Sequence, residues 1–364
     1  MQENLKAEAG KISWRSPSNI ALVKYWGKKP VQIPANPSLS MTLSRAYTEL
    51  TLDFSPKNEK TNIPWLEFLF EGRKQENFEK KITLYLRSLF SEYPILKEYS
   101  FKISSSNTFP HSTGIASSAS SMSALGLCIA DFLALFARSE FPSRFSGGRG
   151  PGFLQHASRL SRLASGSACR SVYGGYVIWG YIPELAGTSD DFAIPLPFQV
   201  NPVFKTMKDA ILVVSSKEKE VSSRAGHSLM EGHPYAGGRY EMARSNLLNL
   251  SEVLRSGDFE EFVKISESEA LNLHALMMSS NPSYVLIEPN TLNIVNSIRR
   301  FRKETKIPAC FTLDAGPNVH MLYPAENEST IRAWIDAELV NFCENGKWID
   351  DGIGEGPEKL NIES

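Results

Sequence analysis

The chain has 364 residues, enough for two domains of ordinary size or one large one. Apolar residues make up 42% and charged residues 22%, which excludes a disordered chain. Lys plus Arg number 39 and Asp plus Glu 40, a net charge of −1, so the basic excess expected of a nucleic-acid binder is missing.

The first residues, MQENLKAEAGK, are polar and mixed in charge, unlike a signal peptide, so a cytoplasmic protein is expected. Residues 19–25 (NIALVKY) predict a short buried strand. From Tyr47 to Phe54 apolar and polar residues alternate, the pattern of a half-buried strand. Phe78, Ile82, Leu86 and Leu89 recur at helical spacing and predict an amphipathic helix over 76–92. Phe101 and Ile103 mark another strand. Met122, Leu125, Ile129, Phe132 and Phe136 mark a long helix starting near Ala116. Its apolar stretch contains Asp131 and is shorter than the ~20 residues of a spanning helix, so no membrane segment is expected. The run SRFSGGRGPG (143–152) reads as a loop.

A helix over 153–164 and a strand over 176–182 follow, then turns and edges from Pro183 to Pro202. Ala210 to Ser215 is apolar and β-branched and opens a second domain. Helices are predicted over 237–256, 258–278 and 290–304, two strands around Phe311 and Val319, and a helix over 329–344. The end of the chain, DDGIGEGPEK, is acidic and rich in glycine. Strands and helices mix without strict alternation, which predicts an α+β fold in two domains, 1–202 and 203–364, with the extreme tail packing back on the first. Cys128, Cys169, Cys310 and Cys343 lie far apart with no CxxC pair, so neither a zinc site nor a disulfide scaffold is expected; they read as small buried hydrophobes.

Four segments carry chemistry. FPHSTGIASSASSMSALG (109–126) places Gly114, Ser117 and Ser118 just before and at a helix start. Unpaired backbone N–H groups converge there, and the helix dipole adds positive charge, so an anion cradle for a nucleoside triphosphate fits. A Ser-rich helix cap fits the same residues, and no Walker A ending is present. SGSACRS (165–171) offers Ser165, Ser167 and Arg170 as a compact anion pocket, or a tight turn with a solvated arginine. KYWGKK (24–29) sets Lys24 and Lys28 around a turn at Gly27, with Tyr25 between them, as two ammonium groups brought to one pocket or as ordinary solvated lysines. In TLDAGPN (312–318), Asp314 ends a strand before a Gly-Pro turn, as a base, a charge stabiliser or a turn cap. His227 and His233 lack an evident third metal ligand, so the metal ligands stay unassigned.

Taken together these segments resemble the mevalonate diphosphate decarboxylases of the GHMP kinase superfamily. The matching stretches are SPSNIALVKYWGK (16–28), NPSLSMTLS (36–44), PHSTGIASSAS (110–120), SGSACRSVYGGY (165–176), VSSRAGH (221–227) and TLDAGPN (312–318), in the family's order. The resemblance implies an N-terminal ATP-binding domain, a ferredoxin-like C-terminal domain and a site between them. It implies ATP-dependent, Mg2+-assisted decarboxylation of mevalonate 5-diphosphate to isopentenyl diphosphate, and is compatible with a homodimer. On the matched positions, Asp314 and Lys24 take the catalytic roles. Tyr25, Lys28, Ser223 and Arg224 hold the 5-diphosphate. Ser165, Ser167 and Arg170 anchor the substrate, with Arg170 at its carboxylate. Gly114, Ser117 and Ser118 cradle the ATP phosphates. Departures from the family pattern are His111-Ser112-Thr113 in the ATP loop, Asn36-Pro37, His227 after SRAG and the GGRG run at 147–150. The competing readings are a sibling enzyme acting on the 5-monophosphate, a mevalonate 3-kinase and a non-catalytic small-molecule-binding homologue.

Overall fold

A computed structural model describes residues 8–57, 65–109, 117–136, 151–217 and 223–361. Two sheets organise them. The larger has eight strands, with the path β14-β1-β4-β7-β5-β6 and with β8 and β9 branching from β4. Here β1 is Gly10–Val23, β4 Ser38–Pro56, β5 Leu66–Phe70, β6 Arg73–Lys74 and β7 Tyr99–Asn107. Strands β8 (Tyr176–Trp179), β9 (Ala193–Pro195) and β14 (Glu358–Lys359) complete it. Strands β2 (Lys28–Lys29) and β3 (Ile33–Pro34) form a separate small ribbon.

Strand β1 is longer than the predicted 19–25. Its first half carries Ser13, Ser16 and Pro17, which hide it from a hydrophobic pattern, yet Ser13 and Ser16 are buried and bonded, Ser16 Oγ donating to Ser123 Oγ at 2.7 Å. Strand β4 alternates over 47–54 as predicted, but extends back to Ser38. There Leu39, Met41 and Leu43 enter the core on one face, while Ser38 and Ser40 meet Arg170 on the other. Helix α1 (Glu76–Leu89) buries Ile82, Tyr85, Leu86 and Leu89, with Glu76 and Glu79 in its first turn, where the helix dipole favours negative charge. Helix α2 (Ser117–Ala134) packs with α3 (Pro151–Ala164) on β1. It is apolar and long enough to cross a bilayer, but most of it is buried inside the protein.

The smaller sheet runs β11-β12-β10-β13, all neighbours antiparallel, with β10 Met207–Leu212, β11 Cys310–Leu313, β12 Val319–Pro324 and β13 Trp348–Gly352. Helices connect β10 to β11 and β12 to β13, so the order is that of a ferredoxin-like fold. A short helix α4 (Pro202–Lys205) precedes this sheet, and α5 (Ser223–Ser228) follows β10. Then come α6 (Ala236–Ser256), α7 (Phe259–Met278), α8 (Pro289–Thr305) and α9 (Glu328–Ala337). Asp258 caps α7, its side chain accepting the Glu261 N–H at 3.0 Å, and α6 ends at Gly257 in the left-handed region (φ 92°). Helix α9 is shorter than the predicted 329–344, because the backbone leaves helical geometry at Glu338 and continues as a short tight turn.

A core shared by both sheets joins Ile20, Leu39 and Met41 with Leu247 and Leu250 of α6, Phe262 of α7, and Ile211 and Leu322 of the smaller sheet. The acidic end of the chain belongs to both sheets. Strand β13 pairs with β10, while β14 pairs with β1. All four cysteines are buried free thiols. Of the predicted loop at 143–152, residues 143–150 lie outside the described residues, while Pro151 and Gly152 open α3 instead, a proline at the first helical position being well tolerated.

Candidate active site

Lys24 stands one residue beyond the end of β1, and Asp314 one residue beyond β11. The two chain ends meet. Lys24 Nζ lies 3.0 Å from Asp314 Oδ1, and it also donates to the Ala21 carbonyl at 2.5 Å. The lysine is almost wholly enclosed, at 2% side-chain exposure, whereas Asp314 keeps 26%. Burial pushes the ammonium below its ordinary pKa, and the neighbouring Asp314 carboxylate opposes that shift. The result is a carboxylate open to a ligand from one side and held by a cation from the other. His274 supports the turn from behind, with Nε2 3.1 Å from the Asp314 carbonyl.

Arg170 lies in the tight helical turn Gly166–Val172 and is 3% exposed. Its partners among the described residues are neutral. The Nε donates to Ser40 Oγ at 3.1 Å and Asn19 Oδ1 at 3.3 Å, Nη1 to Ser38 Oγ at 2.8 Å, and Nη2 to Asn19 Oδ1 at 3.2 Å. Asn19 is itself fixed, donating to Ser171 Oγ at 2.7 Å. Burial lowers the guanidinium's pKa, while Cys169 and then Asp314 raise it, so Arg170 lies within electrostatic reach of the Lys24–Asp314 pair. A buried cation surrounded by neutral oxygens favours an anionic ligand.

Tyr25 closes the same region. Its ring meets Trp179 edge-on at 4.7 Å, and its buried hydroxyl has no hydrogen-bond partner among the described residues. A Cβ at Gly166 would fall 2.9 Å from that hydroxyl, so this turn must carry glycine for the tyrosine to sit where it does. Gly27 adopts φ 93°, and a Cβ there would come 2.4 Å from the Tyr240 hydroxyl, which accounts for the Trp26-Gly27-Lys28 turn.

His227, from α5, packs against Tyr25 and Trp26 at 4.3 and 4.7 Å. Its Nδ1 accepts the Gly27 N–H at 3.0 Å, which leaves the ring proton on Nε2. Burial, then Lys28 and Arg170, bring its pKa down to about 3, so the ring is neutral near pH 7. His233 is structural: its Nδ1 accepts the Tyr235 N–H at 3.1 Å, and Nε2 lies 3.1 Å from the Leu276 carbonyl.

The sequence-predicted residues thus fall into three groups. Lys24, Asp314, Arg170 and Tyr25 converge. Ser165 and Ser167 are partly buried and flank Gly166 in the Arg170 turn. Lys28 lies nearby in the β2–β3 ribbon, where Nζ donates to Gln32 Oε1 at 3.3 Å. Ser117 and Ser118 open α2, Ser118 exposed and Ser117 partly so. Gly114, and the side chains of Ser223 and Arg224, lie outside the described residues. Asn19, Ser38, Ser40, Asn36, Arg239 and Glu269 are site residues that the sequence reading does not single out for a role. The signal for two of them is present: in NPSLSMTLS, serines alternate with apolar residues, which places Ser38 and Ser40 on one face of a strand.

Among the described residues no group of three or more His, Cys, Asp and Glu can enclose a metal ion. Magnesium needs no such cage, because it binds through one or two carboxylates and the phosphates of a nucleotide. Asp314, open to the ligand side, and the small hydroxyl residues at the start of α2 fit a magnesium–nucleotide ligand of that kind.

Comparison with known proteins gives one answer along the chain. Residues 16–189 match the family described as diphosphomevalonate decarboxylase-like N-terminal domain, and residues 210–351 the mevalonate 5-diphosphate decarboxylase C-terminal domain. A diphosphomevalonate decarboxylase of Debaryomyces hansenii is 31% identical over 328 residues, 87% of this chain and 80% of that protein. A mevalonate diphosphate decarboxylase structure from Staphylococcus aureus superposes with a TM-score of 0.80 at 28% identity, covering 97% of this chain and 98% of the other. The protein named MDDEF, solved in complex with MVAPP, AMPPCP and magnesium, also gives 0.80, at 27% identity, covering 97% of this chain and all of the other.

Proposed function

The chain belongs to the diphosphomevalonate decarboxylase family, and on that premise we propose how its own residues carry the reaction. The reaction is the ATP-dependent decarboxylation of mevalonate 5-diphosphate to isopentenyl diphosphate, releasing ADP, phosphate and CO2. ATP with Mg2+ supplies the phosphoryl group that turns the tertiary 3-hydroxyl into a leaving group.

Asp314 accepts the proton of that hydroxyl. A tertiary alcohol is a poor nucleophile, and a carboxylate within reach of its proton helps it attack. Lys24 holds Asp314 in place and offsets the negative charge that gathers beside it. Arg170, seated on Asn19, Ser38 and Ser40, receives the substrate carboxylate with its planar fork, assisted by Ser165 and Ser167. Tyr25, Lys28, Ser223 and Arg224 hold the 5-diphosphate, and Gly114, Ser117 and Ser118 cradle the nucleotide phosphates. As the phosphorylated oxygen departs it takes the proton back from Asp314 and leaves as inorganic phosphate; positive charge develops at C3, and the regenerated Asp314 carboxylate stabilises it while the substrate carboxylate is lost as CO2. Phosphoryl transfer depends mainly on position and electrostatics, which suits this set of fixed cations and small donors.

The observation that carries this reading is the 3.0 Å Lys24–Asp314 pair beside the buried, anion-ready Arg170. We also propose the division 1–202 and 203–364, cytoplasmic residence and a homodimer. The deciding experiment measures ADP and CO2 together, with the 5-monophosphate and the 5-diphosphate as substrates. Equal amounts of both products from the diphosphate are expected. ADP without CO2 would indicate a 3-kinase, preference for the monophosphate the sibling activity, and no turnover a binding protein.

A further inference from the structure

Lys24 lies just past the end of β1, so the sheet no longer holds its peptide groups, although the residue is buried. Two helices take over that task. Arg239 of α6 and Glu269 of α7 form a two-pronged ion pair, Nη1 to Oε1 at 2.7 Å and Nη2 to Oε2 at 2.7 Å. Both side chains are closed to solvent, at 1% and 0% exposure.

Of the pair's further hydrogen bonds among the described residues, two reach Lys24 and one reaches Asn246. The Lys24 N–H donates to Glu269 Oε2 at 2.8 Å. The Lys24 carbonyl accepts from Arg239 Nη2 at 2.9 Å and from Asn36 Nδ2 at 2.8 Å. Asn246 Nδ2 donates to Glu269 Oε1 at 2.7 Å and fixes the carboxylate from its other side. A buried ion pair is a costly way to fill space, since apolar residues of similar volume often serve stability as well or better. Here its bonds reach both peptide groups of one residue, the one whose ammonium meets Asp314.

We propose that Arg239 and Glu269 form a positioning clamp for Lys24. It is built on α6 and α7, touches no substrate, and sets turnover by fixing where the lysine stands. This rests on the roles given to Lys24 and Asp314 above. Small displacements of a reacting group can cost a factor of about 100 in rate.

The test uses the full-length protein with ATP, Mg2+ and mevalonate 5-diphosphate. The double variant Arg239→Met/Glu269→Leu replaces the pair with apolar side chains and removes both contacts to Lys24. It is expected to keep its melting temperature within a few degrees, to lose turnover by roughly 10–100-fold, and to keep KM for the diphosphate within about twofold. Arg239→Lys keeps the ion pair, so it guards against a double variant that fails to fold. An ammonium cannot span Glu269 and the Lys24 carbonyl as a planar fork does, so an intermediate loss in kcat with unchanged KM is expected. Wild-type kcat in either folded variant, or a loss expressed only in KM, would overturn the clamp. An inactive wild-type protein would overturn the reaction and the clamp with it, whereas an active wild type with indifferent variants would remove the clamp alone.

Discussion

His227 adds a titration of its own to the protein's response to acid. Its imidazole has a pKa of about 3 in the folded protein, against an ordinary 6.5, because it is enclosed and faces Lys28 and Arg170. Below about pH 6.5 the unfolded chain binds a proton on this ring that the folded chain does not. The contribution is therefore complete above that pH and is lost as pH falls towards 3. We expect the urea midpoint of the wild type to fall more steeply from pH 6.5 to about 4.5 than that of His227→Asn, whose amide oxygen can still accept the Gly27 N–H. Parallel pH profiles would remove His227 from this role. At this scale the sequence is partly legible. Lys24, Arg170 and Asp314 are visible because each ends or follows a recognisable strand or small-residue turn. Their meeting is not visible locally, since positions 24 and 314 lie on different sheets, and it enters through the family resemblance. Arg239 and Glu269 read as ordinary charges on helix surfaces, because nothing in a helical pattern reveals that both are buried.

The C-terminal tail shows an element whose sequence conceals its structure. DDGIGEGPEK is acidic and Gly-rich, the signature of a loop, yet it supplies strand pairing to both sheets. Its glycines permit close passage rather than freedom: a Cβ on Gly354 would fall 2.2 Å from the Leu43 carbonyl oxygen. Asp351 accepts the N–H groups of Ser44, Arg45, Ala46 and Gly352 at 2.7–2.9 Å, and Lys359 and Glu358 reach Asp131 and Arg15. Gly354→Ala is expected to force the tail away from β4 and to cost about 1–3 kcal/mol, the scale of an overpacked site. Urea unfolding checks this, and an unchanged midpoint would contradict the tight passage. Strands with clean alternation, such as 47–54, and helices with regular apolar spacing, such as α1 and α6–α8, are legible. The first half of β1 is not, because the core residues Ile12 and Trp14 are set among Ser13, Ser16 and Pro17, and the buried serines are satisfied by contacts from distant segments.

The two sheets act as one molecule because they share a core and because the ion pair is made where they meet. Strand β1 delivers Lys24 from the larger sheet, and β11 delivers Asp314 from the smaller. Helices α6 and α7 contribute to the core common to both, which joins Ile20 and Met41 of the larger sheet with Ile211 and Leu322 of the smaller. Shifts between the sheets would therefore change the Lys24–Asp314 distance. The chemistry proposed here rests on that carboxylate taking the proton of a tertiary alcohol. The direct measurement is steady-state CO2 release from mevalonate 5-diphosphate by Asp314→Asn, with ATP and Mg2+ saturating. The structure predicts a fall in kcat of about 10²–10⁴ with KM for the diphosphate little changed. Turnover close to that of the wild type would contradict it.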